Sequence, residues 1–346
     1  MARSKRRLSA LFVAAAGLAV GLYPYLIESY ASVERHQPEL LSDFKRPLRI
    51  PFPAQNPYTQ EKYELGKKLF FDPLLSGSRM VSCSSCHNPG LNWTDGLGKG
   101  VGHAHQELDR KVPTLLNVAW GWNFFWDGRA EDLEAQALGP IQSHREMNLS
   151  LPELVSRLKE NPGYRALFAS AFPRELLSAQ LVGKALATFE RTIVSGLAPF
   201  DKWVEGDADS ISAAAKRGFI LFTTKARCIT CHSGWRFSNE SFADIGLKSK
   251  DLGRGGVVVD EDLRFTFKVP TLRNIALRAP YMHDGSLRTL DDVLRHYNQG
   301  GAVKRPTSVR FVQPLHLNKD EQQDLVAFLK TLTSEEREMS LPRLPR

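Results

Sequence analysis

The chain has 346 residues, 42% apolar and 24% charged, proportions that exclude a disordered chain and a polytopic membrane protein, while the length allows two separate cores. Its formal net charge is +8, but the basic residues are scattered except for Arg3, Lys5, Arg6 and Arg7 at the extreme N-terminus, a pattern that argues against a nucleic-acid partner. Without residues 1–31, which carry those four and Glu28, the charge is +5.

Behind the basic start, residues 8–27 (LSALFVAAAGLAVGLYPYLI) are apolar and uncharged, and the small-residue site Ser29-Tyr30-Ala31 follows. This is an export signal. Its length also suits an uncleaved anchor with the positive end in the cytoplasm. Either way the remainder lies outside the cytoplasm.

Next comes a short amphipathic helix, ELGKKLF at 64–70, ahead of CSSCH at 83–87. The same order recurs with KRGFILF at 216–222 and CITCH at 228–232, and these two pentapeptides use all four cysteines. Two disulfides, a thioredoxin-like motif or half a zinc site would each account for a CxxC pair, but none accounts for the histidine that follows. In C-x-x-C-H the thiols form thioethers to haem vinyl groups and the adjacent imidazole becomes the proximal iron ligand. Cys83, Cys86, Cys228 and Cys231 therefore attach two haem c groups, and His87 and His232 are the proximal ligands. The four propionates of two haems bring the mature charge to roughly +1.

Each attachment site is followed by one phrase, VPTLLNVAWGWNFFWDG at 112–128 and VPTLRNIALRAPYMHDG at 269–285, aligned without a gap. The haem module is duplicated. Between the copies, helical periodicity runs over Pro152–Lys159 after Ser150 and over Leu177–Ser195 up to Gly196. After the second copy it runs over Lys319–Leu332 behind Asn318. The best strand signal is GGVVV at 255–259. The expected fold is mostly α, with two cytochrome c-like haem domains, at 32–200 and 201–346, behind the signal or anchor at 1–31.

With both CxxCH sites, FFWDGRAEDLEAQALGPIQ at 124–142, REMN at 145–148 and VPTLRNIALRAPYMHDGS at 269–286, the chain resembles the bacterial di-haem cytochrome c peroxidases, a family that includes the MauG enzymes. The resemblance runs from about Tyr63 to Leu332. It implies that the N-terminal haem binds and splits peroxide and that the C-terminal haem passes electrons. It assigns Glu146 as the distal acid-base group, Gln136 as its hydrogen-bonding neighbour and Trp126 as the tryptophan between the haems. His103, two residues before His105, matches the histidine that caps the resting N-terminal haem in many family peroxidases, set in a glycine-rich loop able to swing. His283, the counterpart of Trp126, is expected to pack and hydrogen-bond near a propionate. Neighbours on a helix point about 100° apart, and in LRHYNQGG the resemblance makes Tyr297 the second axial ligand of the C-terminal haem, with His296 turned outward. Tyrosine there marks the MauG branch. The family's calcium site is in doubt, because Lys111 and Arg278 stand where an asparagine and a threonine would offer oxygens.

The resemblance thus implies an exported enzyme, a cytochrome c peroxidase-type oxidoreductase, in the periplasm, soluble or tethered to the inner membrane. It reduces hydrogen peroxide at the N-terminal haem with electrons from a small cytochrome or cupredoxin. The alternatives are a MauG-type enzyme that oxidises residues of a protein substrate, and a non-catalytic di-haem electron carrier. A homodimer is compatible with either.

Overall fold

Two helix crossings organise the computed structural model, which describes residues 39–335 and 338–345. In the first, Gln60–Phe71 (α1), capped by the Thr59 hydroxyl, packs across Ala179–Arg191 (α6). Between them in the chain come Cys83–Cys86 (α2), Leu133–Gln142 (α3), Leu151–Glu160 (α4) and Pro162–Ala171 (α5). In the second crossing, Ala213–Thr223 (α8), behind Pro199–Val204 (α7), packs across Lys319–Lys330 (α11), with Leu290–Asn298 (α9) and Ser308–Phe311 (α10) between. The segments expected to be helical before each CxxCH are α1 and α8. Ser150 and Asn318 cap α4 and α11 through their side chains, as short polar groups at a helix start do.

Both crossings are close because each first helix presents a glycine. A Cβ on Gly66 would collide with the Ala185 carbonyl oxygen and stand 3.0 Å from Phe189 Cβ; one on Gly218 would collide with the Asp324 carbonyl and stand 2.7 Å from Phe328 Cβ. Gly218→Ala is therefore expected to cost roughly 1–3 kcal/mol by overpacking, seen as a lower thermal midpoint of the helical circular dichroism signal. An unchanged midpoint would show that the helices separate without penalty.

The duplication extends to single hydrogen bonds. Asn117 and Asn274 both sit in the left-handed region, at φ 63° and 57°. Asn117 N donates to Ile193 O and Asn274 N to Leu332 O, while the Asn117 side-chain oxygen accepts from Ser195 N and the Asn274 oxygen from Ser334 N. The domains also meet through a repeated bond: Lys111 N donates to His283 O at 2.7 Å and Lys268 N to Trp126 O at 2.8 Å.

Three expectations need correction. The boundary between 200 and 201 cuts α7, whose Phe200 is fully buried in the second core, so that core begins by Pro199. The ends of the described chain also cross over. Phe44 is buried among Phe200, Phe219 and Phe237 of the second core, whereas Lys67 and Lys68 of the first domain hydrogen-bond Ser340 Oγ and Arg343 O. The 255–259 run is no strand. Arg254–Gly256 is a 3-10 turn and Val257 and Val259 are exposed; the two short strands are Phe242–Ala243 and Phe267–Lys268, paired antiparallel. Without an apolar face to cover, the valines gain nothing from extension. The expected signal or anchor at 1–31 lies outside the described residues. Among those described, no helix is long and apolar enough to cross a membrane.

Candidate haem-binding active site

The two CxxCH segments present their histidines in one way. His87 Nδ1 lies 3.1 Å from Trp93 O and His232 Nδ1 2.8 Å from Phe237 O. A carbonyl partner fixes the proton on Nδ1 and leaves the Nε2 lone pair for a metal. Burial lowers both imidazoles to a pKa of about 4, keeping them neutral as a ligand must be. None of the four cysteines is paired in a disulfide, in keeping with their use as thioether attachment points. Beside Cys83, Cys86 and His87 opens a cavity of about 1220 Å³, larger than the ~300–1,000 Å³ of ordinary small-molecule pockets. The donor set, its tautomer and the space fit a covalently held haem.

Gln136 and Glu146 line that cavity from one side. The Asp132 carboxylate caps α3 by accepting from Ala135 N, and the helix carries Gln136, Ala137 and Pro140 to the cavity wall. Just beyond it, a turn closed by Glu146 N donating to Ser143 O delivers Glu146, close enough to Cys86 to disfavour that thiol's ionisation. Trp126 lines the cavity towards the other domain. Its indole donates to Lys111 O at 2.8 Å, and its ring lies 6.5 Å from that of His283. His283 is buried, stacked 3.5 Å from Phe267 and lowered by burial to a pKa of about 4.

His103 stands apart from this group. Val101 and Gly102 line the cavity, but the half-exposed His103 does not, and its Nδ1 is buried without a partner. Its loop is tied down rather than loose: Gly102 N donates to Gln106 O, and His103 N is shared between Arg145 O and Glu146 O at 3.0 and 2.8 Å. His105 is exposed.

On α9, Tyr297 faces the second attachment site. Burial, reinforced by Cys228 and Cys231, pushes its hydroxyl well above the ordinary tyrosine range. His296 is not turned outward as expected. It is buried, with Nε2 2.7 Å from Ile245 O, because the loop after the Phe242–Ala243 strand covers that face of the helix. The 100° between neighbours holds, but both directions lead inward. At the family's calcium position, the buried Lys111 ammonium donates to Leu97 O at 2.8 Å and the buried Arg278 guanidinium to Thr271 O at 2.6 Å. Neither side chain offers an oxygen to a calcium ion, and each places a positive charge there.

One cavity residue escaped the sequence reading. Glu190, near the end of α6, is 4% exposed and lines the cavity. The signal was present: in the Leu177–Ser195 pattern Glu190 adjoins Phe189 on the apolar side.

A sequence profile of di-haem cytochrome c peroxidase matches residues 60–209, and one of cytochrome c matches residues 215–333. The methylamine utilization protein MauG of Methylorubrum extorquens is 52% identical over 310 residues, covering 88% of each chain. Cytochrome c551 peroxidase of Nitrosomonas europaea is 38% identical over 302 residues, covering 85% of this chain and 86% of its own. Among solved structures, a MauG-like protein associated with microbial copper homeostasis superposes with a TM-score of 0.76 at 32% identity, over 84% of this chain and 95% of that one.

Proposed function

The chain belongs to the di-haem cytochrome c peroxidase family, MauG proteins included, and is a peroxide-using oxidoreductase with two covalently bound haem c groups; from that premise we propose that it is of the MauG type and turns the oxidising power of hydrogen peroxide on side chains of a partner protein. The observation that carries this reading is Tyr297, half-buried beside Cys228 and Cys231, where an anionic oxygen ligand would hold the second iron oxidised. The 52% identity to a methylamine utilization protein supports it and points to a substrate protein in amine metabolism.

A haem held by Cys83, Cys86 and His87 would supply the iron chemistry that splits peroxide. The chain supplies the rest. Glu146 takes a proton from the nearer peroxide oxygen and returns it to the departing one, work for which a carboxylate at the cavity wall is suited. Gln136, on the same wall, orients the peroxide by hydrogen bonding. Trp126, anchored through its indole to Lys111 O, holds a π system between the two domains. The site is proposed to work in the periplasm, after export directed by residues 1–31. An electron carrier would need neither Glu146 nor Gln136 in such a cavity.

A second reading, a peroxidase fed by a small cytochrome or cupredoxin, is favoured by one observation: the unpartnered His103 Nδ1 on a turn bonded to Glu146 O. Mixing hydrogen peroxide with the purified fully oxidised protein, without reductant, separates the two. The expected result is an immediate change in the haem spectrum that decays when the partner protein is added. A response only after one-electron reduction would overturn the MauG-type reading in favour of the peroxidase.

A further inference from the structure

We propose that Glu190 is a proton-exchanging carboxyl of the cavity around His87, releasing a proton as positive charge builds at the iron and recovering it as that charge is removed. The inference rests on the reading of this cavity as a haem site. Glu190 is 4% exposed, lines the cavity beside Cys83, and leaves its Oε2 buried without a hydrogen-bond partner. An unpaired buried carboxylate is costly, so such a group stays protonated until a nearby positive charge favours its ionised form.

The duplicated module shows that the fold does not need this acid. Thr192 Oγ1 donates to Phe189 O and Thr331 Oγ1 to Phe328 O, both at 2.6 Å, and Ser195 meets Asn117 as Ser334 meets Asn274. In that register Glu190 corresponds to Leu329, a buried core residue. The domain that lacks the large cavity's distal residues fills the position with leucine. The domain that has them keeps a carboxyl.

The charged neighbours leave it unpaired. On its own helix, Arg191 is engaged by Glu134 through two hydrogen bonds of 2.7 and 2.8 Å, and Asn56 also donates to Glu134. On α1, Lys62 faces Asn56 Oδ1 and Pro57 O while Lys67 faces Ser340 Oγ, and on α4 Arg157 donates to Leu74 O and Ser76 O. Burial, the dominant influence, carries the Glu190 pKa up to about 8; Arg191 opposes this and Glu134 adds to it. Raised above its ordinary 4.5, the group gives the fold stability that is fully present below that value and lost as pH rises through about 8.

The exchange balances. When one electron leaves the iron towards peroxide oxygen, the single O–H bond of Glu190 breaks and its proton passes to water at the cavity mouth; the second electron that peroxide takes is not matched by this carboxyl. When that electron is returned, by a reductant or by the partner side chain that is oxidised in giving it up, Glu190 takes up one proton, so the cavity's net charge is held.

Spectroelectrochemistry of the holoprotein from about pH 6 to about pH 9, a range bracketing the carboxyl's titration, tests this. The potential of the His87-side haem is expected to fall with rising pH, by up to tenfold in its reduction equilibrium constant per pH unit below about pH 8, and to be flat there in Glu190→Gln. Glu190→Leu, which installs the second domain's residue, should behave likewise. Haem content and the potential of the His232-side haem report whether either variant has kept its fold. The same slope in the variants as in the wild type, or no slope in the wild type, would overturn the proposal. Neither peroxide nor partner protein enters the measurement, so its failure is distinct from failure of the functional reading.

Discussion

Replacing Glu146 by glutamine is expected to slow the reaction with hydrogen peroxide by roughly 10² to 10⁴ while leaving both haems attached, the usual weight of a positioned acid-base group. Glu146 lines the cavity next to Cys86 and reaches it on a turn fixed by Ser143 O and by the shared donation from His103 N, so its backbone is held whichever side chain it carries. Glutamine keeps the length and polarity of the side chain but cannot take a proton from peroxide. Cleavage must then proceed with the proton moved by water, and the rate shows it. Stopped-flow mixing with peroxide, followed in the haem absorption, gives the number. A wild-type rate in Glu146→Gln would move the proton work elsewhere in the cavity, and Gln136→Ala, expected to have the smaller effect, serves as the comparison.

Features written in short, local stretches were legible in the sequence. CSSCH and CITCH name their ligands because attachment chemistry requires five consecutive residues, and the structure adds only the carbonyls, Trp93 O and Phe237 O, that set each histidine's tautomer. The helices before each site were visible because a periodic face needs no knowledge of its partner. Features that depend on distant chain were hidden. His296 is buried because a loop some fifty residues earlier offers the Ile245 carbonyl, and nothing in LRHYNQGG announces that loop. The crossing of Phe44 into the second core and of Ser340 onto Lys67 in the first is a matter of assembly, decided by which core has room for a phenylalanine and which has a free ammonium. Glu190 was missed for another reason. An acidic residue near a helix end reads as solvated, and its place on the apolar side of the Leu177–Ser195 pattern, with its register against Leu329, is what shows that it takes a core position.

Tyr297→Met is expected to raise the potential of the His232-side haem by a few tenths of a volt, a fraction of the ~0.8 V that the choice of axial ligands spans. A phenolate is an anionic oxygen donor that favours the oxidised iron, whereas a methionine thioether is neutral and favours the reduced one. The geometry makes the exchange a clean comparison. Tyr297 is directed at Cys228 and Cys231 from a helix whose neighbouring residue, His296, is held by Ile245 O and is not available to take its place. In this setting the hydroxyl resists ionisation, because burial opposes a negative charge. Iron must therefore drive the proton off to be bound, and the bond so formed is strongest to the oxidised metal. His296→Ala is the control, since it removes the neighbouring imidazole and its bond to Ile245 O while leaving the phenol in place; its potential should stay near that of the wild type. A potential unchanged in Tyr297→Met, together with an unchanged spectrum of the oxidised protein, would remove Tyr297 from the iron. A shift confined to His296→Ala would instead give that place to the histidine.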